Sequence, residues 1–193
     1  MQETLKASIY LDTLTKILLQ IEMTNDQNEI LSLDEGTQKI IEQIISIKNF
    51  NKKIMIVGNG GSAAIASHIH NDLCKSVGMR AMVFNETPLL TAFSNDLSYT
   101  VAFENLVNLW ADNGDMLIAI SSSGKSENII RAAKAASAKG SKVVTLSGFK
   151  HDNPLRYMGQ VNFFVPSEEY GYVELIHSII AHYISDATTK KCV

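Results

Sequence analysis

Twice in this chain a short apolar run stops at a turn of small residues and passes directly into a helical pattern. Lys53 to Val57 leads into Gly58-Asn59-Gly60-Gly61 and a helix running from an N-cap at Ser62 to about Val77. Met116-Leu117-Ile118-Ala119-Ile120 leads into Ser121-Ser122-Ser123-Gly124-Lys125-Ser126 and a helix over Glu127 to Lys139. Strands that alternate with helices imply a parallel sheet covered on both faces, and such sheets take ligands in crevices at the carboxyl ends of their strands. Both turns therefore fall on one rim. A helix start offers unpaired backbone N–H groups and the positive end of its dipole, and the second turn adds four hydroxyls and a glycine. That combination holds a phosphate without a metal, so the ligand it implies is a phosphorylated small molecule.

The rest of the chain keeps the alternation. Residues 2 to about 23 and 27 to about 48 carry apolar positions at helical spacing, such as Leu14, Ile17 and Leu18, then Ile40, Ile41, Ile44 and Ile45, which places two helices before the first strand. Ala81 to Phe84 reads as a short strand, Pro88 to Phe93 as a helical turn, and Phe103 to Ala111 as a helix that turns Trp110 into the core. Val143 to Leu146 and Asn162 to Val165 read as strands, and Val173 to about Thr188 as the last helix. With 193 residues, 46% of them hydrophobic and 19% charged, the chain fits one domain, residues 1–193. Its net charge of −3 provides no basic field to gather nucleic acid. No apolar run approaches the roughly 18 residues needed to cross a bilayer. Residues 1–12 lack the charged start, apolar centre and cleavage site of a secretory signal, so the expected compartment is the cytoplasm. Cys74 and Cys192 form neither a disulfide framework nor a CxxC motif.

The glycine turn fits neither the dinucleotide fingerprint nor the Walker A pattern, and alone it reads equally as a tight strand-to-helix connection. On the helix that follows, His68 and Asp72 are four apart and share a face, while His70 points away. On the last helix Glu174 and His182 are eight apart, about 80° of rotation, and can share a rim. On the residues alone, the favoured reading of these groups is an intrahelical hydrogen-bonded pair and surface or interface histidines.

Taken together, Gly58-Asn59-Gly60-Gly61-Ser62-Ala63-Ala64 with His68, Asn95-Asp96, Ile120 to Asn128, and a closing helix with His177 and His182 resemble a sugar isomerase (SIS) domain. Within that superfamily the chain is similar to the phosphoheptose isomerases, which convert sedoheptulose 7-phosphate to glycero-manno-heptose 7-phosphate for surface-polysaccharide precursors such as lipopolysaccharide or capsule. The resemblance covers nearly the whole chain. It implies an α/β three-layer sandwich with a five-stranded parallel sheet (49–193), preceded by two helices (1–48) in the core of a homotetramer whose sites lie between subunits. The family's phosphate-binding positions fall on Ser62, Ser121, Ser122, Ser123 and Ser126 beside Gly60, and its sugar-contacting positions on Asn59 and Asp96.

The catalytic positions differ more. The family's helix histidine is matched by His68, but its acid/base glutamate is Asp72 here, and the family's glutamine on the last helix is Glu174. The resemblance makes Asp72 and His182 the acid/base pair for proton transfer between C1 and C2 through an enediolate. It also makes His68, Asp72, Glu174 and His182 a zinc set of two imidazoles and two carboxylates. Two other readings stand beside the heptose isomerase: a non-catalytic phosphosugar-binding regulator, of the kind that binds the replication initiator protein, and an isomerase or lyase of another sugar phosphate.

Overall fold

The computed structural model describes residues 5–192. The chain opens with α1 (Ala7–Leu18), the strands β1 (Glu22–Asn25) and β2 (Ile30–Leu31), and α2 (Leu33–Asn49). Next come β3 (Lys53–Val57), α3 (Gly61–Asp72) continued by a turn of π-helix over Leu73–Val77, β4 (Arg80–Val83), α4 (Thr87–Asp96) and α5 (Tyr99–Trp110). Then follow β5 (Met116–Ser121), α6 (Glu127–Ala138), β6 (Lys142–Gly148), a 3₁₀ turn at Pro154–Tyr157, β7 (Val161–Val165) and α7 (Tyr170–Cys192).

The five parallel strands expected are present, in the order β7-β6-β5-β3-β4, but the sheet has seven strands. The other two are the antiparallel hairpin β1–β2, whose first strand pairs with β7 from Glu22↔Phe164 to Asn25↔Val161. This corrects the helices read over 2–23 and 27–48. The turn between the strands is fixed by Asn25, whose Oδ1 accepts the backbone N–H groups of Gln27 and Glu29 at 2.9 Å each, and by Asn28 at φ 62°. Helix α2 starts only at Leu33, because Ser32 and Glu35 form a reciprocal capping box there. Residues 2–4 of the first expected helix lie outside the described residues.

The central strands are buried on both faces, which is why they read as continuous apolar runs. Ile54, Ile56, Ile118 and Ile120 point to one side, under α2, α3 and α7; Met55, Val57, Leu117 and Ala119 point to the other, under α5 and α6. Trp110 is not in the core as expected: at the last position of α5 it is 48% exposed. From β3 the chain crosses to β4 on one side and then to β5 on the other, so the topology reverses between β3 and β5. The two turns of small residues sit at the carboxyl ends of those two strands, where the crevice of an open α/β sheet lies.

Candidate active site

The two turns enclose a small cavity of about 110 Å³ lined by Asn59, Ser62, the serines 121, 122, 123 and 126, Tyr170 and Glu174. Helix α3 begins two residues earlier than expected, with Gly60 rather than Ser62 as the cap. Gly60 has φ 54° and ψ −122°, a conformation open to glycine, and it places Ser62 as a buried residue of the first turn. On the other side Ser126 is the residue before α6 and makes no side-chain cap bond, leaving its hydroxyl to accept from Ser121 Oγ at 3.1 Å. Ser122 is 4% exposed and its Oγ has no partner, although a buried hydroxyl without one carries a desolvation cost. Two helix N-termini and an unsatisfied hydroxyl thus converge on one space.

A second cluster lies further along α3 and α7, which run side by side in the same direction. His68 Nε2 and His182 Nδ1 stand 3.7 and 3.5 Å from Asp72 Oδ2, and the two imidazole rings meet edge to face at 4.5 Å. Ser185 Oγ donates to the same carboxylate oxygen at 3.3 Å, and Asn71 Nδ2 to its partner at 3.3 Å. Ligand atoms of His68, Asp72 and His182 all fall within 4.8 Å of one another. Asp72 is mostly buried, with 18% of its side chain exposed, and the π turn begins at the next residue. Such wide turns recur beside functional residues.

Glu174 does not join that cluster. Its carboxylate packs on the first turn of α3 so closely that a Cβ on Gly61 would collide with it, and it lines the serine cavity instead. His177, one turn on, is fully buried with Nε2 3.2 Å from the Ser147 carbonyl. Desolvation lowers its pKa from 6.5 to about 4, against the opposing effect of that hydrogen bond, so it is a neutral core residue at pH 7. Asp96 ends α4, accepts from Asn95 Nδ2 at 2.8 Å, and does not line the cavity. Lys125 is exposed and does not line it either. The tyrosines of α7 part company: Tyr170 lines the cavity, Tyr172 is buried and stacks on Tyr10 at 4.5 Å, and Tyr183 faces an apolar groove with Leu18 and Ile180.

Sequence reasoning missed Asn128 and Asn153. Asn153 is fully buried, donates to Gly148 O and Lys150 O at 3.1 and 2.9 Å, and presses against Gly124, whose φ of 62° bends the serine turn. The sequence signal for Asn128 was a polar residue set where the pattern calls for none, beside Ile129 and Ile130 on the inner side of α6; Asn153 lies in an Asp-Asn-Pro stretch whose composition marks only a loop.

The profile of the SIS domain family matches residues 10–148. The chain belongs to that family. It is 36% identical over 166 residues to a phosphoheptose isomerase of Clostridium acetobutylicum, covering 81% of this chain and 83% of the relative. Over 188 residues it is 31% identical to a phosphoheptose isomerase of Sulfurimonas denitrificans, covering 94% and 95%. The fold superposes on that of phosphoheptose isomerase GmhA from Neisseria gonorrhoeae with a TM-score of 0.81 at 25% identity, over 95% of this chain and 96% of that one. This SIS-family chain is thus an isomerase of the phosphoheptose-isomerase kind, and no helix among its described residues is long and apolar enough to cross a membrane.

Proposed function

We propose that this SIS-family enzyme interconverts sedoheptulose 7-phosphate and glycero-manno-heptose 7-phosphate. The observation that carries the reading is the partnerless, buried Ser122 hydroxyl between two helix N-termini at the switch point of the sheet. A phosphate there accepts from Ser122 and from the hydroxyls of Ser62, Ser121, Ser123 and Ser126, and faces the first backbone N–H groups of α3 and α6. The reacting carbons then lie toward Asp72 and His182. From Glu174 to His182 is eight residues of α7, or about 12 Å at 1.5 Å per residue, and from Ser62 to His68 six residues, about 9 Å. An extended carbon chain with bonds of about 1.5 Å advances roughly 1.25 Å per bond, so the eight bonds from phosphorus to C1 of a heptulose 7-phosphate span about 10 Å. A triose phosphate reaches about half as far.

In the ketose-to-aldose direction Asp72 takes a proton from C1 while His182 donates one to the oxygen at C2, giving an enediol. His182 then recovers a proton from the oxygen at C1 and Asp72 returns its proton to C2. Ser185 and Asn71 hold the carboxylate in place for this exchange. The donor set of His68, Asp72 and His182, two imidazoles and one carboxylate with one side open, fits zinc in a catalytic arrangement. Zinc held by these three residues would supply Lewis acidity to the reacting oxygens.

The reading extends to a cytoplasmic homotetramer with sites between subunits. The assembly is supported by α1, which has no buried residue in the single chain and leaves Ile9 and Leu11 more than half exposed. The test is turnover of sedoheptulose 7-phosphate and a panel of shorter ketose phosphates by the wild type, Asp72→Asn and His182→Gln. Turnover greatest for the heptulose and lost in both variants is the expected result. Sugar phosphates that raise the melting temperature without being turned over would replace the enzyme reading with a phosphosugar sensor.

A further inference from the structure

We propose that Asn128, with Tyr99, is a positioning residue that, by holding Asn59, sets the spacing of the two halves of the phosphate cavity. The proposal rests on the phosphate-binding reading above. Asn59 lies in the turn after β3 and Asn128 in the first turn of α6, 69 residues apart in sequence. Their side-chain amides pair reciprocally: Asn59 Nδ2 donates to Asn128 Oδ1 at 3.0 Å, and Asn128 Nδ2 donates to Asn59 Oδ1 at 2.9 Å. Tyr99, the first residue of α5, donates its hydroxyl to the same Asn59 Oδ1 at 2.6 Å. Asn128 Oδ1 also accepts the backbone N–H of Ile129 at 3.0 Å, which locks its rotamer to the start of α6.

These bonds occupy both lone pairs of Asn59 Oδ1 and one of its two amide hydrogens, so most of its hydrogen-bonding capacity is directed away from any ligand. Asn128 is 4% exposed and absent from the cavity lining, whereas Asn59 forms part of its wall. Neither turn is tied to the other by a backbone hydrogen bond, since neighbouring parallel strands β3 and β5 stop pairing at Val57↔Ala119. The amide pair is the direct link between the two helix starts beyond that point. Two N-termini and their serines act on one phosphate only if their separation is held to a fraction of an ångström. A side-chain clamp with three donors does this at a place where the ladder has ended.

The experiment is calorimetric titration of the full-length protein with inorganic phosphate and with sedoheptulose 7-phosphate, alongside kcat and KM. Asn128→Ala is expected to weaken both ligands by about 10- to 100-fold and to raise KM with kcat changed less than threefold. Tyr99→Phe, which removes one donor and keeps the amide pair, is expected to weaken both about threefold. Val143→Ala, a buried truncation at the far end of β6, serves as a control for lost stability and should leave both affinities unchanged. Folded Asn128→Ala with wild-type phosphate affinity, or Val143→Ala weakening phosphate as much, overturns the proposal. Should Asn128→Ala fail to fold, Tyr99→Phe with unaltered affinity overturns it equally. A wild type that binds neither ligand defeats the phosphate reading itself, a result distinguishable from failure of the clamp alone.

Discussion

The two ends of the seam between α3 and α7 use the same helices for opposite purposes. At the amino end the seam meets the serine cavity, where hydroxyls and helix N-termini gather positive potential and Glu174 alone brings negative charge. At the far end the helices present two half-exposed imidazoles around one mostly buried carboxylate. On the proposed reading, one end holds an anion and the other moves protons or holds a cation. The difference teaches that the position of an acidic side chain along the seam, more than its residue type, decides its chemistry: Asp72 and Glu174 share the same two packed helices and have unlike neighbours.

The largest effect expected tests the proton-transfer end. Asp72→Asn keeps the size and hydrogen-bonding shape of the side chain and removes the base, so turnover should fall about 10²- to 10⁴-fold, with phosphate affinity unchanged. Zinc affinity, measured by competition with a chromogenic chelator, should drop at least about a hundredfold, since loss of a ligand outdoes the roughly 10- to 100-fold loss typical of outer-shell changes. Equal loss of phosphate affinity would erase the distinction between the two ends.

How legible this was in the sequence differs along the chain. The two turns could be read because strand, small-residue turn and helix follow within a few residues, and the serines needed only local geometry to reach one cavity. The hairpin β1–β2 was hidden because Met23, Ile30 and Leu31 continue the helical apolar spacing. The turn around Asn25 interrupts the helical run, and the capping box at Ser32 and Glu35 delays the start of α2 to Leu33; periodicity overrode both local signals. His68, Asp72 and His182 were legible as face-sharing positions on two helices. That Glu174 would leave them for the serine cavity was not, because 80° of rotation along α7 says nothing about how α7 docks on Gly61. Trp110, the last residue of α5, is half exposed, which the spacing along the helix did not reveal.

Between Glu174 and His182 on α7, His177 sharpens the comparison in a second way, through stability. Its folded pKa of about 4 lies below the unfolded 6.5, so above pH 6.5 neither state carries the proton and the group has no pH effect. As pH falls from 6.5 toward 4, the unfolded chain takes up the proton first and stability is lost, in total about 3 kcal/mol. His177→Gln can keep the bond to Ser147 O without titrating. Urea unfolding at pH 7 and pH 4.5 should therefore show a smaller acid loss in the variant than in the wild type. Parallel losses would mean that His177 titrates alike in the folded and unfolded chain and is not held neutral between the two ends.

The smallest effect concerns the anomalous charge at the anion end. A carboxylate and a phosphate about 5 Å apart repel by roughly 3 kcal/mol per pair of unit charges at an effective dielectric of ~20. Glu174 is half-buried, and solvent reduces that figure, so Glu174→Gln should tighten inorganic phosphate by about tenfold while leaving zinc affinity as it was. The two readouts separate the two roles the residue could have. If the variant lost zinc affinity and gained nothing for phosphate, Glu174 would belong with His68, Asp72 and His182, and the seam would have one functional end instead of two. If it gains phosphate affinity but turns over more slowly, the carboxylate at the cavity serves to weaken the hold on the phosphate so that product leaves, and the charge is a compromise between grip and release.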